Sequence, residues 1–142
     1  MNPFDLSNKV ICVTGASSGI GRQCAVSCSR MGATVVLLAR NEQRLHETLS
    51  IMDNPDKHVI IPVDLTEYAT VELVVKNIVS QVGRISGVLH CAGISTTLPL
   101  KLVTPEKLAE FFQANVFSAY NLTREVCKMG NFSKEGGSIV FF

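Results

Sequence analysis

The run Thr14-Gly15-Ala16-Ser17-Ser18-Gly19-Ile20-Gly21 sets three glycines and two serines within eight positions. Gly15 suits a tight turn that a side chain would obstruct. Gly19 leaves room for a diphosphate to approach the main chain, and Gly21 permits close packing of a helix on a strand. If a helix starts near Ile20, its free N–H groups and the positive end of its dipole favour an anion. Ser17 and Ser18 add hydroxyl donors. Further along, the apolar run ending at Ala39 is followed by Arg40. A carboxylate at that place would hydrogen-bond a ribose 2′-hydroxyl and repel a 2′-phosphate. An arginine instead pairs bidentately with phosphate. This predicts NADP(H) over NAD(H), with Arg44 and Arg22 as helpers.

These residues need elements that place them. Lys9 to Thr14 is a short apolar run bounded by Gly15, the pattern of a strand buried on both faces. Ile20 to Met31 reads as a helix stopped by Gly32. Thr34 to Ala39 is a second apolar strand. Glu42 to Met52 is a second helix, with Asn41 as its N-cap. His58 to Val63 is a third strand, and Thr66 is the expected cap of the helix that follows. In that helix Val71, Val74, Val75, Ile78, Val79 and Val82 form a one-sided apolar stripe. Gly87 to His90 is a fourth strand. Thr104-Pro105-Glu106 opens a long helix, predicted to run to about Met129. Ser138 to Phe142 is a fifth strand. Strands alternating with helical crossovers predict an α/β fold, a doubly wound parallel sheet of the Rossmann kind.

The chain has 142 residues, the size of one ordinary domain, here 1–142. Its formal charge of +1 gives no electrostatic case for nucleic acid or for a membrane surface. No apolar run approaches the ~18 residues of a membrane span. The start Met1-Asn2-Pro3-Phe4-Asp5 lacks the build of a signal peptide. Five cysteines, without a C-x-x-C, suggest neither a disulfide framework nor a metal site. Free thiols of this kind fit a cytoplasmic protein. Cys24 and Cys28 lie one helical turn apart and can share a face.

The glycine run resembles the cofactor signature of the short-chain dehydrogenase/reductase family. Further matches follow in that family's order. Asp64-Leu65 sits after the third strand, where the family has an acid that holds the adenine. Cys91-Ala92-Gly93 resembles its Asn-Ala-Gly, with cysteine in place of the first asparagine. Asn115, in Gln113-Ala114-Asn115-Val116, resembles its helical asparagine, and Gly137-Ser138-Ile139-Val140 its fifth strand. The resemblance implies hydride transfer between a nicotinamide and a carbonyl or alcohol, with a 3-oxoacyl-carrier-protein reductase as one candidate subgroup. It places Gly15, Ser17, Ser18, Gly19, Ile20, Gly21, Arg40, Asp64, Leu65, Ala92 and Gly93 at the cofactor.

That family's chemistry uses a tyrosine, a lysine that lowers its pKa, a serine, and an asparagine that fixes a proton-relay water. Of the four, the resemblance finds Asn115. Tyr68 is followed four positions on by Glu72 and Tyr120 by Arg124, so Tyr-x-x-x-Lys is absent. Tyr120 is expected to pack, and His90 to be a loop or core residue. The expectation is a fold cut after its fifth strand, and a 142-residue chain that is inactive alone. A non-catalytic dinucleotide-binding or sensing module is the alternative, and a sugar-nucleotide epimerase a third with different glycine spacing. The Thr104–Met129 helix is apolar on more than one side, through Leu108, Phe111, Phe112, Phe117, Leu122 and Val126. That predicts a homo-oligomer, a dimer or tetramer, when full length.

Overall fold

The computed structural model describes residues 2–142. Five strands carry the fold: β1 (Val10–Thr14), β2 (Thr34–Ala39), β3 (Val59–Pro62), β4 (Gly87–His90) and β5 (Ser138–Phe141). They form one sheet in the order β3-β2-β1-β4-β5, and every neighbouring pair is parallel. Five α-helices accompany them: α1 (Gly19–Arg30), α2 (Glu42–Ser50), α3 (Tyr68–Val82), α4 (Pro105–Phe112) and α5 (Ser118–Val126).

Burial on both faces explains why the strands are apolar without interruption. Val10, Cys12, Val36, Leu38 and Val88 pack with Val71, Val75 and Ile78 of α3 and Leu122 and Val126 of α5. The alternate residues Ile11, Val13, Val35 and Leu37 pack on the other face with Ala25 and Cys28 of α1 and Leu45 of α2. Successive strand side chains point to opposite faces, so one apolar run feeds two cores. The expected stripe of α3 is the observed one, with Val74, Val79 and Val82 flanking its buried residues.

Several boundaries follow local capping. The Asn41 Oδ1 accepts from the Arg44 N–H at 2.9 Å, and the Thr104 Oγ1 from Lys107 N–H at 3.2 Å. Gly32 and Gly83 end their helices with φ of 92° and 91°. Thr66 does not cap α3. Its hydroxyl donates to Asp64 Oδ1 at 2.7 Å, and Glu67 takes the cap position. His58 sits outside β3 because its ring has two main-chain partners. Its Nδ1 accepts from Val35 N–H at 3.1 Å, and Nε2 donates to Asp53 O at 2.8 Å.

The long helix differs from expectation in two ways. It ends at Val126 rather than near Met129, and a π-helical segment, Gln113–Phe117, joins α4 to α5. Its buried face is Ser118, Ala119, Leu122, Glu125 and Val126. Tyr120 therefore faces solvent at 65% exposure rather than packing. Leu108, Phe112, Val116 and Phe117 are also exposed, so one apolar side of this helix is open. His90 is a core residue, as expected: its ring stacks on Phe141 at 4.6 Å and its Nε2 lies 2.8 Å from Thr123 Oγ1. Among the described residues, no helix is long and apolar enough to cross a membrane.

Candidate functional site

The strand order reverses direction between β1 and β4. From β1 the chain moves outward through α1 to β2 and through α2 to β3; from β3 it returns through α3 to β4. Loops diverge at such a switch point and leave a crevice at the carboxyl ends of the strands. A cleft of about 820 Å³ lies there, walled by the ends of β1, β2, β3 and β4.

The glycine turn forms its floor. Gly15 has φ of 64° and Gly19 of 53°, backbone that suits glycine. A Cβ on Gly15 would fall 2.9 Å from the main chain of Cys91 and Ala92, so the turn lies against the β4 loop. A Cβ on Gly19 would meet nothing within 4 Å, so that residue faces open space. Gly15, Ser17, Ser18, Gly19 and Ile20 all line the cleft. Gly21 does not. It is buried where a Cβ would stand 2.2 Å from Gly15 O, and it serves the helix–strand contact alone.

Arg40, Asn41 and Arg44 also line the cleft. Arg22, expected to help with a 2′-phosphate, is engaged elsewhere. Its guanidinium donates to Ser17 O at 2.7 Å, Thr48 Oγ1 at 3.0 Å and Glu47 Oε2 at 3.2 Å. Asp64 and Leu65, after the neighbouring strand β3, line the cleft as well. The hydroxyl and amide of Thr66 hold the Asp64 carboxyl below its ordinary range, with the Arg40 charge adding to the effect. One carboxylate oxygen is thus committed to Thr66.

Cys91, Ala92, Gly93 and Ile94 close the site from β4. Thr14 fixes this loop: its Oγ1 accepts from both Cys91 N–H and Ala92 N–H at 3.0 Å. Thr14 was legible only as the residue before the first glycine. Cys91 packs with Cys24 and Cys28 of α1, and burial pushes its thiol up to about 12. Asn115 reaches the same loop from the π segment. Its Oδ1 accepts from Ile94 N–H at 2.7 Å and its Nδ2 donates to Ile94 O at 2.8 Å. Gly93 allows this approach, since a Cβ there would lie 3.0 Å from Asn115 Oδ1. Asn115 is not on the cleft wall; Ala114 and Ser118 beside it are. Among the described residues no cluster of histidine, cysteine and carboxylate side chains could hold a metal ion.

Residues 9–142 match the family described as short chain dehydrogenase. The uncharacterized oxidoreductase YciK of Escherichia coli is 32% identical, over 96% of this chain and 56% of that protein. A short chain dehydrogenase from Salmonella enterica superposes with a TM-score of 0.87 at 33% identity, covering 99% of this chain and 60% of that one. A variant of actinorhodin polyketide ketoreductase with NADPH superposes at 0.85 with 26% identity, covering 94% and 52%. The chain spans about half the length of the curated relatives it matches. With the family match running from β1 through β5, and neighbours of the same fold above 30% identity, the chain belongs to the short chain dehydrogenase family of oxidoreductases.

Proposed function

We propose that this chain is the dinucleotide-binding part of an NADP(H)-dependent oxidoreductase. The reaction is hydride transfer between a nicotinamide and a small carbonyl or alcohol substrate. The observation that carries the reading is that an amide-rich glycine turn and the guanidinium-bearing residues Arg40 and Arg44 line one and the same cleft. The first suits a diphosphate and the second a 2′-phosphate. The cleft fits such a group physically. Gly19 presents bare main chain to open space, and no acidic residue ends β2.

Each residue then has a task. The Ser17 and Ser18 region offers N–H and hydroxyl donors to the diphosphate. Arg40 neutralises the 2′-phosphate, and Arg44 assists. Asp64 and Leu65 hold the adenine edge and face. Ala92 and Gly93 let the ligand pass close to the main chain, on a loop fixed by Thr14 and Asn115. When bound, the nicotinamide supplies or accepts the hydride. Asn115 serves the proton relay that the family resemblance assigns to it. The ketoreductase with NADPH among the structural neighbours supports both the cofactor and a carbonyl substrate. A 3-oxoacyl thioester is one member of that substrate class. The open apolar side of α4 and α5 is proposed to pair with a second subunit, which light scattering of the full-length protein would show as a dimer or tetramer.

Titration with NADPH and NADH, followed by cofactor fluorescence, tests the central point. NADPH is expected to bind more tightly. Equal affinities, or a preference for NADH, reject the assignment.

A further inference from the structure

The geometry points to Arg22 and Thr48 as positioning residues that aim the amides of the glycine turn into the cleft, so that α2 sets the anion-binding geometry. The inference rests on the dinucleotide reading above and goes beyond it, because neither residue lines the cleft.

Three consecutive carbonyls of the turn are tied down. Ala16 O accepts from the Thr48 hydroxyl at 2.9 Å. Ser17 O accepts from the Arg22 guanidinium at 2.7 Å. Ser18 O accepts from the Arg22 main-chain N–H at 3.1 Å, in the first turn of α1. The described residues contain no cis peptide bond. In a trans peptide the C=O of one residue and the N–H of the next point in opposite directions. Drawing Ala16 O toward Thr48 of α2, and Ser17 O toward the Arg22 guanidinium that Thr48 and Glu47 hold, therefore turns the N–H groups of Ser17 and Ser18 away from those side chains. Released, these peptides could flip and present carbonyl oxygens to the anion, which repel it.

The two side chains support each other. Thr48 is fully buried; its hydroxyl accepts from Arg22 Nε at 3.0 Å, and its one proton lies between Ala16 O at 2.9 Å, the shorter contact, and Arg44 O at 3.1 Å. Glu47 adds a carboxylate at 3.2 Å to the same guanidinium. Glu47 and Thr48 come from the second half of α2, whereas Arg44 and the Asn41 cap come from its start. One helix thus carries Arg44 of the cleft wall and, through Glu47 and Thr48, the support of the Arg22 guanidinium behind the phosphate turn.

The test uses the full-length protein, with NADPH and adenosine 2′-monophosphate as probes. The second lacks the diphosphate. Thr48→Val, close in shape but without the hydroxyl, is expected to weaken NADPH about tenfold, the worth of one well-placed hydrogen bond. Adenosine 2′-monophosphate should bind as before. Thr48→Ser should restore NADPH affinity. Arg22→Ala should repeat the loss, and it stands in if Thr48→Val fails to fold. Both variants within twofold of wild type for NADPH would overturn the inference, and so would equal losses for both probes. A wild-type protein that binds neither NADPH nor NADH would instead remove the functional reading beneath it.

Discussion

Gly19 and Gly21 stand two residues apart, yet alanine at each should fail differently. At Gly21 the new methyl would lie 2.2 Å from Gly15 O, 2.6 Å from Gly15 C and 2.9 Å from Thr14 O. Ordinary contact starts near 3.4 Å, so α1 and the turn must part by roughly 1 Å. The obstructing atoms are main chain and cannot rotate aside. Overpacking of this kind costs about 1–3 kcal/mol, and a backbone clash belongs at the upper end. For a chain of this size that is a fall of about 10 °C in the unfolding midpoint. At Gly19 the methyl meets nothing within 4 Å. Its only cost is the left-handed backbone at φ of 53°, about 1 kcal/mol or a few degrees. The methyl then occupies the space left for the diphosphate, so NADPH affinity should fall tenfold or more. The assay is thermal unfolding of ligand-free protein beside an NADPH titration. A Gly19→Ala protein that binds NADPH within threefold of wild type would refute the assignment of that space. A Gly21→Ala protein as stable as wild type would refute the packing argument.

Three further outcomes follow from particular contacts. Arg40→Ala should weaken NADPH by roughly tenfold to a hundredfold, the range of a charge-assisted hydrogen bond, and leave NADH unchanged in the same titration. Thr14→Val leaves the Cys91 and Ala92 N–H groups without their acceptor beside a buried strand end; it should cost about 2 kcal/mol in urea unfolding. His58 and His90 both have lowered pKa values because they are buried, His90 down to about 4 from 6.5. The unfolded chain then binds more protons, so stability is fully present above pH 6.5 and is lost as the pH falls toward 4, by up to about 3 kcal/mol for His90. His90→Gln should flatten part of that slope in urea midpoints measured from pH 7 to pH 4.5, and an unchanged slope would contradict it.

The parts of this protein that sequence reveals are those whose physics is local. Uninterrupted apolar runs such as Val10–Thr14 and Thr34–Ala39 announce strands buried on two faces, because no polar face is left for water. The α3 stripe announces its buried side through periodicity alone. The glycine turn is legible because two of its residues need positive φ and a third admits no Cβ. Thr66 misled because it is a good cap next to a better acceptor: the Asp64 carboxylate takes both its hydroxyl and its amide. Tyr120 misled because an aromatic on a largely apolar helix suggests packing, while the buried side was claimed by Ala119, Leu122 and Val126. The π segment has no mark at all in Gln113–Phe117, which contains neither proline nor glycine.

What remained hidden depends on contacts across long separations, and these govern the candidate site. Asn115 is joined to Ile94 by two hydrogen bonds across 21 residues, and Arg22 to Thr48 across 26. Asn115 grips main chain of the β4 loop directly, and Thr48 grips Ala16 O of the glycine turn while holding Arg22, which grips Ser17 O. Cleft residues alone could not hold those loops, because glycines and alanines at the wall have no side chains with which to fix themselves. A floor of bare backbone therefore needs its rigidity supplied from behind. Thr14 holds the β4 loop, Asn115 the chain beyond Gly93, and Arg22 with Thr48 the glycine turn. The residues that bare the main chain and those that steady it are separate sets. Substitutions in the second set should alter binding without touching the ligand.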